Sequence, residues 1–304
     1  MKSEDVLFYS QGKVIRGLWR SESTSVTRLR AIVQGPGWFG LKDAKLYERY
    51  HHAFTQAGFG VLVFDYRGFG ESEGEQGRVS LADQIVDLRS AVTYLQTRED
   101  VDDEAIAAFG SGGTGGGNAV ILAALDQRIR AVVCQVPVAD GADWLHRMRS
   151  EDAWIGFLAR LEQDRRVRAR SGCGELVDPR REIVLPSAER LVTTVKSDVD
   201  ERVPRSVSFE IADELLEYRP VDFAQKLRTP LLVIGVEGDA TTPTDHAIRL
   251  FDAAMGPKEL VLQRHTSHYE AYDKYWEVVT PQIVKWLDEY TKGRGTLTVK
   301  SALL

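Results

Sequence analysis

The sequence predicts an α/β protein, a mostly parallel, doubly wound sheet with helices on both faces and one helical insertion. Three observations carry that expectation. Short, near-continuous apolar runs such as Gly60-Val61-Leu62-Val63-Phe64 and Leu231-Leu232-Val233-Ile234-Gly235-Val236 read as strands buried on both faces. Segments of helical periodicity alternate with them. Polar and glycine-rich clusters follow the strands, where such sheets gather their chemistry.

In chain order, residues 6–10, 14–20 and 31–33 read as strands, the third ending in the turn Gly35-Pro36-Gly37. A helix is expected over 44–56, stopped by Gly58. The strand at 60–65 is followed by Ser80 and Asp83, spaced as a capping box. Leu81, Ile85, Leu88, Val92 and Leu95 recur behind it at helical intervals. A strand at 106–109 runs into a glycine stretch that opens a further helix, and the next strand covers 131–138. From 141 to 221 charge density rises and no buried strand is visible. After it come a strand at 231–236, a helix entered at Thr242-Pro243, a strand at 258–263 and a helix at 275–290. Residues 1–140 and 222–304 are therefore expected to form the core, with 141–221 inserted after the sixth parallel-type strand.

Composition sets outer limits. The 304 residues are 43% hydrophobic and 28% charged, an ordinary globular balance. A net charge of −6 offers no basic field for nucleic acid or anionic lipid. The first residues, Met1-Lys2-Ser3-Glu4-Asp5, lack the apolar core of a signal peptide, and no apolar run reaches about eighteen residues. A cytoplasmic protein is expected, with no membrane or nucleic-acid partner, a small-molecule substrate and a homodimer left open. Cys134 and Cys173 form no ligand-spaced cluster, so neither a metal nor a cofactor is expected.

Four strand ends carry informative residues. They are Gln34-Gly35-Pro36-Gly37-Trp38-Phe39-Gly40, Asp65-Tyr66-Arg67-Gly68-Phe69-Gly70-Glu71-Ser72, Glu237-Gly238-Asp239 and Arg264-His265-Thr266-Ser267-His268-Tyr269. Together they resemble the α/β-hydrolase superfamily, particularly bacterial proteins similar to acetylxylan esterases and the cocaine-esterase/S15-peptidase group. The resemblance implies the α/β-hydrolase fold, with the insertion as a helical lid. It implies His268 as general base and Asp239 as the acid that fixes its tautomer, with Asp140 as a fallback acid. His265 competes with His268, but the latter lies further past the strand and beside Tyr269. The Gly37-Trp38 turn corresponds to the family's oxyanion loop, offering a backbone N–H from Trp38. The 65–72 segment reads as a brace.

One segment departs from the family. The motif G-x-S-x-G forces a serine into a strained strand-to-helix turn. Here the chain reads Phe109-Gly110-Ser111-Gly112-Gly113-Thr114-Gly115-Gly116-Gly117-Asn118. Counted from the strand the nucleophile position is Gly112; counted back from the helix it is Gly113. Thr114 fits the letters but is β-branched, and Ser111 has bulky Phe109 where a small residue belongs. The stretch also satisfies G-x-G-x-x-G, a dinucleotide pattern that glycine runs match cheaply.

Three functions stay open: an acyl hydrolase using Ser111 or Thr114, a nucleophile-free enzyme whose His268–Asp239 dyad acts on water or a substrate proton, and a non-catalytic binding protein. The reading favours the second, covering C–C cleavage, decarboxylation or hydration. Trp144, Trp154, Phe157 and Tyr269 are candidate pocket residues, though the first three could equally pack the lid onto the sheet. The arginines at 165–170 and the Arg180-Arg181 pair read as solvated or salt-bridged. Only if they face the cleft do they imply an acidic substrate.

Overall fold

Strands apolar on both sides need cover on both sides, and the chain provides it. The computed structural model describes residues 1–22, 28–292 and 299–303. It opens with a hairpin, β1 (Lys2–Ser10) and β2 (Lys13–Ser21), then β3 (Leu29–Gln34), and a 3-10 turn leads into α1 (Glu48–Gln56). Next come β4 (Phe59–Phe64), α2 (Leu81–Thr97), β5 (Val101–Ser111), α3 (Gly113–Leu125) and β6 (Ile129–Gln135). The following stretch is mainly helical: α4 (Gly141–Arg147), α5 (Glu151–Ser171), β7 (Leu176–Val177), a π-turn at Pro179–Ile183, α6 (Ala188–Val192), α7 (Ser197–Asp200), β8 (Val207–Ser208), α8 (Ile211–Glu217) and α9 (Pro220–Ala224). The chain then returns through β9 (Leu231–Val236), α10 (Thr244–Ala253), β10 (Lys258–Gln263), α11 (Glu270–Asp273), α12 (Trp276–Thr291) and β11 (Val299–Leu303).

The main sheet has the order β1-β2-β4-β3-β5-β6-β9-β10-β11. Only β2 runs against its neighbours; the pairings from β4 to β11 are parallel. β7 and β8 form a separate two-stranded ribbon. Every residue of β4 and of β9 is buried. Alternation along the strands splits the core in two: Val33 and Leu62 pack with Leu88, Val120 and Leu250, while Ile32 and Val61 pack with Phe54, Ile283 and Trp286. Because the strands from β3 to β10 are parallel, the loops after β3, β5, β9 and β10 emerge at one edge. Among the described residues no helix is long and apolar enough to cross a membrane.

Three local details differ from the sequence reading. β6 stops at Gln135, three residues early, because Val136 takes φ +44° and Pro137 cannot donate to a ladder. β5 is longer, starting at Val101. Helix α10 starts at Thr244 with Pro243 as its cap, because the Thr242 hydroxyl is engaged by Asp239 (3.0 Å). The expected box at α2 is present in its first half: the Asp83 N–H donates to Ser80 Oγ at 3.3 Å.

The 65–72 segment is a brace. Asp65 Oδ1 accepts from the Lys42 N–H (2.8 Å), and its Oδ2 accepts from Lys42 Nζ (2.9 Å) and the Glu71 N–H (3.2 Å). Both partners of the ion pair are buried. Removing one member strands the other charge, at a cost of about 3–5 kcal/mol. Lys42→Met should therefore lower unfolding stability by that order in urea titrations, with Lys42→Met/Asp65→Asn losing less than the single variant.

Candidate active site

Strand β5 ends at Ser111, the chain reverses at Gly112, and α3 begins at Gly113. Gly112 has φ +80° and ψ 166°, a conformation in which an L side chain is strained. Of the two registers open in the sequence, the reversal therefore falls on Gly112. A Cβ built there would meet nothing closer than Gly37 Cα at 3.8 Å and the Tyr272 hydroxyl at 3.9 Å. The other glycines of the run have no such room. Cβ atoms on them would strike, in turn, the Gly115 carbonyl, Val138, Gly37, Pro137 and Tyr218. The glycine pattern is thus accounted for by packing of α3 on β5 and its neighbours, which leaves the G-x-G-x-x-G match without a separate role.

The loop after β3 lies against this turn. A Cβ on Gly37 would stand 2.6 Å from the Ser111 carbonyl oxygen, so only glycine permits the approach. The Gly37 N–H donates to the Tyr47 hydroxyl (3.3 Å). Among the described residues the N–H groups of Trp38 and Gly113 donate to no group of the chain, and both residues line the cleft. Gly113 is the first residue of a helix, where an N–H has no intrahelical acceptor.

His268 follows β10 and is 5% exposed. Its Nδ1 lies 2.8 Å from Asp239 Oδ2. The other Asp239 oxygen accepts from the N–H groups of Thr241 (2.7 Å) and Thr242 (2.9 Å). Burial alone would raise the Asp239 carboxyl, but its electrostatic interaction and hydrogen bond with His268 and the two N–H donors bring it below its ordinary value. An ionised Asp239 makes Nδ1 the proton-bearing nitrogen and leaves Nε2 as a lone pair. Nε2 has no hydrogen-bond partner among the described residues, and His268 lines the cleft. His265 is exposed, with φ +56°, and is not part of the cleft lining. Asp140 is committed elsewhere: it caps α4 through the Asp143 N–H and pairs with Arg219 (2.6 Å) and Arg249 (3.2 Å).

The two hydroxyls considered as nucleophiles sit differently. Ser111 lines the cleft together with Tyr272, whose phenol burial keeps well above its ordinary pKa. Thr114 lies in the first turn of α3, buried and outside the lining. Neither is hydrogen-bonded to His268.

The cleft has a volume of about 270 Å³. Trp144 and Tyr269 line it, and Trp144 Nε1 donates to the Thr241 carbonyl (2.8 Å). Trp154 and Phe157 do not: they stack on each other (5.7 Å), Trp154 also stacks on His146, and Phe157 meets Phe209 edge to face. Arg165 and Arg168 pair with Asp213, whereas Arg180 and Arg181 reach the cleft. Tyr272, Lys196 and Arg190 also line it and were not singled out from sequence. Tyr272, four residues beyond His268, carries a spacing that could have flagged it. Away from the cleft, Asp143, Asp245 and His246 bring ligand atoms within 4.8 Å of one another, but Arg147 and Arg249 already pair with the carboxylates. The arrangement as a whole offers a lone-pair nitrogen, two unpaired N–H donors and, at the turn between them, no side chain.

The two glycines should respond differently to a methyl group. Gly112→Ala meets only the strain of its positive φ and extended ψ, about 1–3 kcal/mol. Gly37→Ala forces two backbones apart and should lose more. Denaturant midpoints of the two variants check the order.

Residues 40–274 match the family model for the serine aminopeptidase S33 hydrolases. A protein of Escherichia coli, described as an uncharacterized 31.7 kDa protein in the traX-finO intergenic region, is 30% identical over 85% of this chain and 90% of its own length. The quorum-quenching protein AidA of Acinetobacter baumannii is 24% identical over 83% of this chain and 84% of its own. The solved structure of DcsB with a substrate analogue superposes with a TM-score of 0.80 at 19% identity, over 96% of this chain and all of that one. The chain belongs to the serine aminopeptidase S33 family and is an enzyme of the α/β-hydrolase fold.

Proposed function

We propose that this enzyme acts on a small carbonyl-containing molecule by general-base chemistry without a covalent nucleophile. The single observation that carries the proposal is Gly112: the turn that should present a nucleophile presents a hydrogen atom, on a residue that lines the cleft. His268, oriented by Asp239, takes a proton from water or from the substrate through Nε2. Negative charge that develops on the substrate oxygen is met by the N–H groups of Trp38 and Gly113. The imidazolium then returns the proton to the departing or newly formed centre. C–C cleavage, decarboxylation and hydration all fit this scheme, and residues 141–221 serve as a lid that excludes bulk water.

Two alternatives make different demands. Hydrolysis of an ester or thioester through Ser111 requires a hydrogen bond from that hydroxyl to His268, whose bonds run instead to Asp239 and Thr242. A purely binding role has no need of a buried carboxylate holding one imidazole tautomer. Treatment with a fluorophosphonate followed by intact mass separates the readings. The wild-type chain should take no adduct, while Gly112→Ser should gain one at residue 112. A stoichiometric adduct on wild-type Ser111 or Thr114 rejects the nucleophile-free mechanism. Turnover in His268→Ala should fall by about 10²-fold or more, and unchanged turnover would reject His268 as the base.

A further inference from the structure

Four cationic side chains line the cleft, Arg180, Arg181, Arg190 and Lys196, and no Asp or Glu is part of the lining. This is unexpected in a chain of net charge −6. Arg181 stands at the rim, 82% exposed, and contributes little. The other three lie deeper. Arg180 and Arg190 share one carboxylate, Asp200, with Arg180 Nη2 at 3.0 Å from it. Among the described residues Lys196 has no carboxylate within 4 Å; its ammonium donates to the Trp38 carbonyl oxygen at 3.2 Å. Asp200 is thus, among the described residues, the one carboxylate within 4 Å shared by Arg180 and Arg190, and Lys196 has none that close.

Burial, with Arg180 and Arg190 adding repulsion, pulls the Lys196 amine down to about 7, against a smaller opposing effect of Asp198. The same two causes, burial and Arg190, bring Arg180 down to about 10. A partly buried cation without a partner is costly, and the cost is relieved when an anion enters. We infer that the substrate of this cleft carries a carboxylate, bound by Lys196 and Arg190 with Arg180 behind them. The inference rests on the cleft at Gly112 being the reaction site. It sets the anion at the reacting end of the cleft, because Lys196 holds the carbonyl of Trp38 and Arg190 lies 5.8 Å over the ring of Tyr269, next to His268. Leu46, Val184, Leu191 and Val195 supply apolar wall for the rest of the molecule. The substrate class is an amphipathic carboxylic acid. A single unpaired cation matches a monoanion better than a phosphate dianion.

Charge linkage gives the pH dependence its sign. The groups facing Lys196 are Arg180 from the π-turn, Arg190 from α6 and Asp198 from α7. A bound carboxylate favours the ammonium, so affinity is full below about pH 7 and falls by up to about tenfold per pH unit above it. The test is isothermal titration of His268→Ala, which removes turnover, with 3-phenylpropionate and 5-phenylvalerate and with their amides. At about pH 6 at least one acid should bind about tenfold or more tighter than its amide, and weaken by about pH 9 with proton uptake. Adding Lys196→Met should abolish the preference, and Arg190→Gln should reduce it. Amides that bind as well as the acids, acids that fail to bind at all, or a preference that survives Lys196→Met overturn the inference. Since the readout is binding, its failure leaves the nucleophile-free mechanism standing, and a phosphonate adduct on Ser111 would leave the carboxylate site standing.

Discussion

The close approach of two backbones, the Gly37 loop and the β5–α3 turn, fixes the rest of the site. Gly37 lies so near the Ser111 carbonyl that no side chain fits between them, and Gly115 meets Gly37 from the helix side, where a Cβ would stand 3.0 Å from its Cα. This contact puts two unpaired N–H groups, from different strands' loops, on the same small volume. It also accounts for one further glycine of the segment, Gly115, while the others answer to their own neighbours. The parallel sheet then adds Asp239 and His268 at the same edge, because the loops after β9 and β10 emerge beside those after β3 and β5. A methyl group at Gly37 would disturb all four loops at once.

The electrostatics of the cleft divide into a neutralised part and an open part. Asp239 is saturated, with acceptor positions filled by His268, Thr241 and Thr242, and can stay ionised in a buried place. Lys42, Asp65 and Glu71 likewise close on themselves beneath the cleft. The insertion does the reverse. It brings Arg180, Arg190 and Lys196 to the cleft, with Asp200 shared by the two arginines and no carboxylate within 4 Å of Lys196 among the described residues. Sheet-derived charges hold the machinery in place, and insertion-derived charges are left for whatever enters.

Much of this was legible in the chain. Buried strands announce themselves by uninterrupted apolar runs, and β4 and β9 lie where such runs predict. The order of Asp239 and His268 after consecutive strands located the dyad, because strand ends are the one place this architecture gathers side chains. The register of the turn was not legible: glycine stands at both 112 and 113, and only the φ of +80° at Gly112 distinguishes them. The insertion was read least well. Its helices pack by local stacking, so Trp154 and Phe157, chosen for their size, satisfy His146, each other and Phe209. Lys196, the residue just before a four-residue helix with no periodicity to reveal its facing, carries no signal in sequence that it borders the cleft.

Gly112 has a further consequence in the genetic code. A glycine codon of the form GGC becomes a serine codon, AGC, or a cysteine codon, TGC, by one base change. A Cβ at residue 112 meets no atom closer than 3.8 Å, so the positive φ and not a clash opposes it, and His268, Trp38 and Gly113 line the same cleft. On the proposed reading, a covalent nucleophile on this scaffold lies a single nucleotide away, and the backbone strain of a positive φ at residue 112 is what that change must overcome.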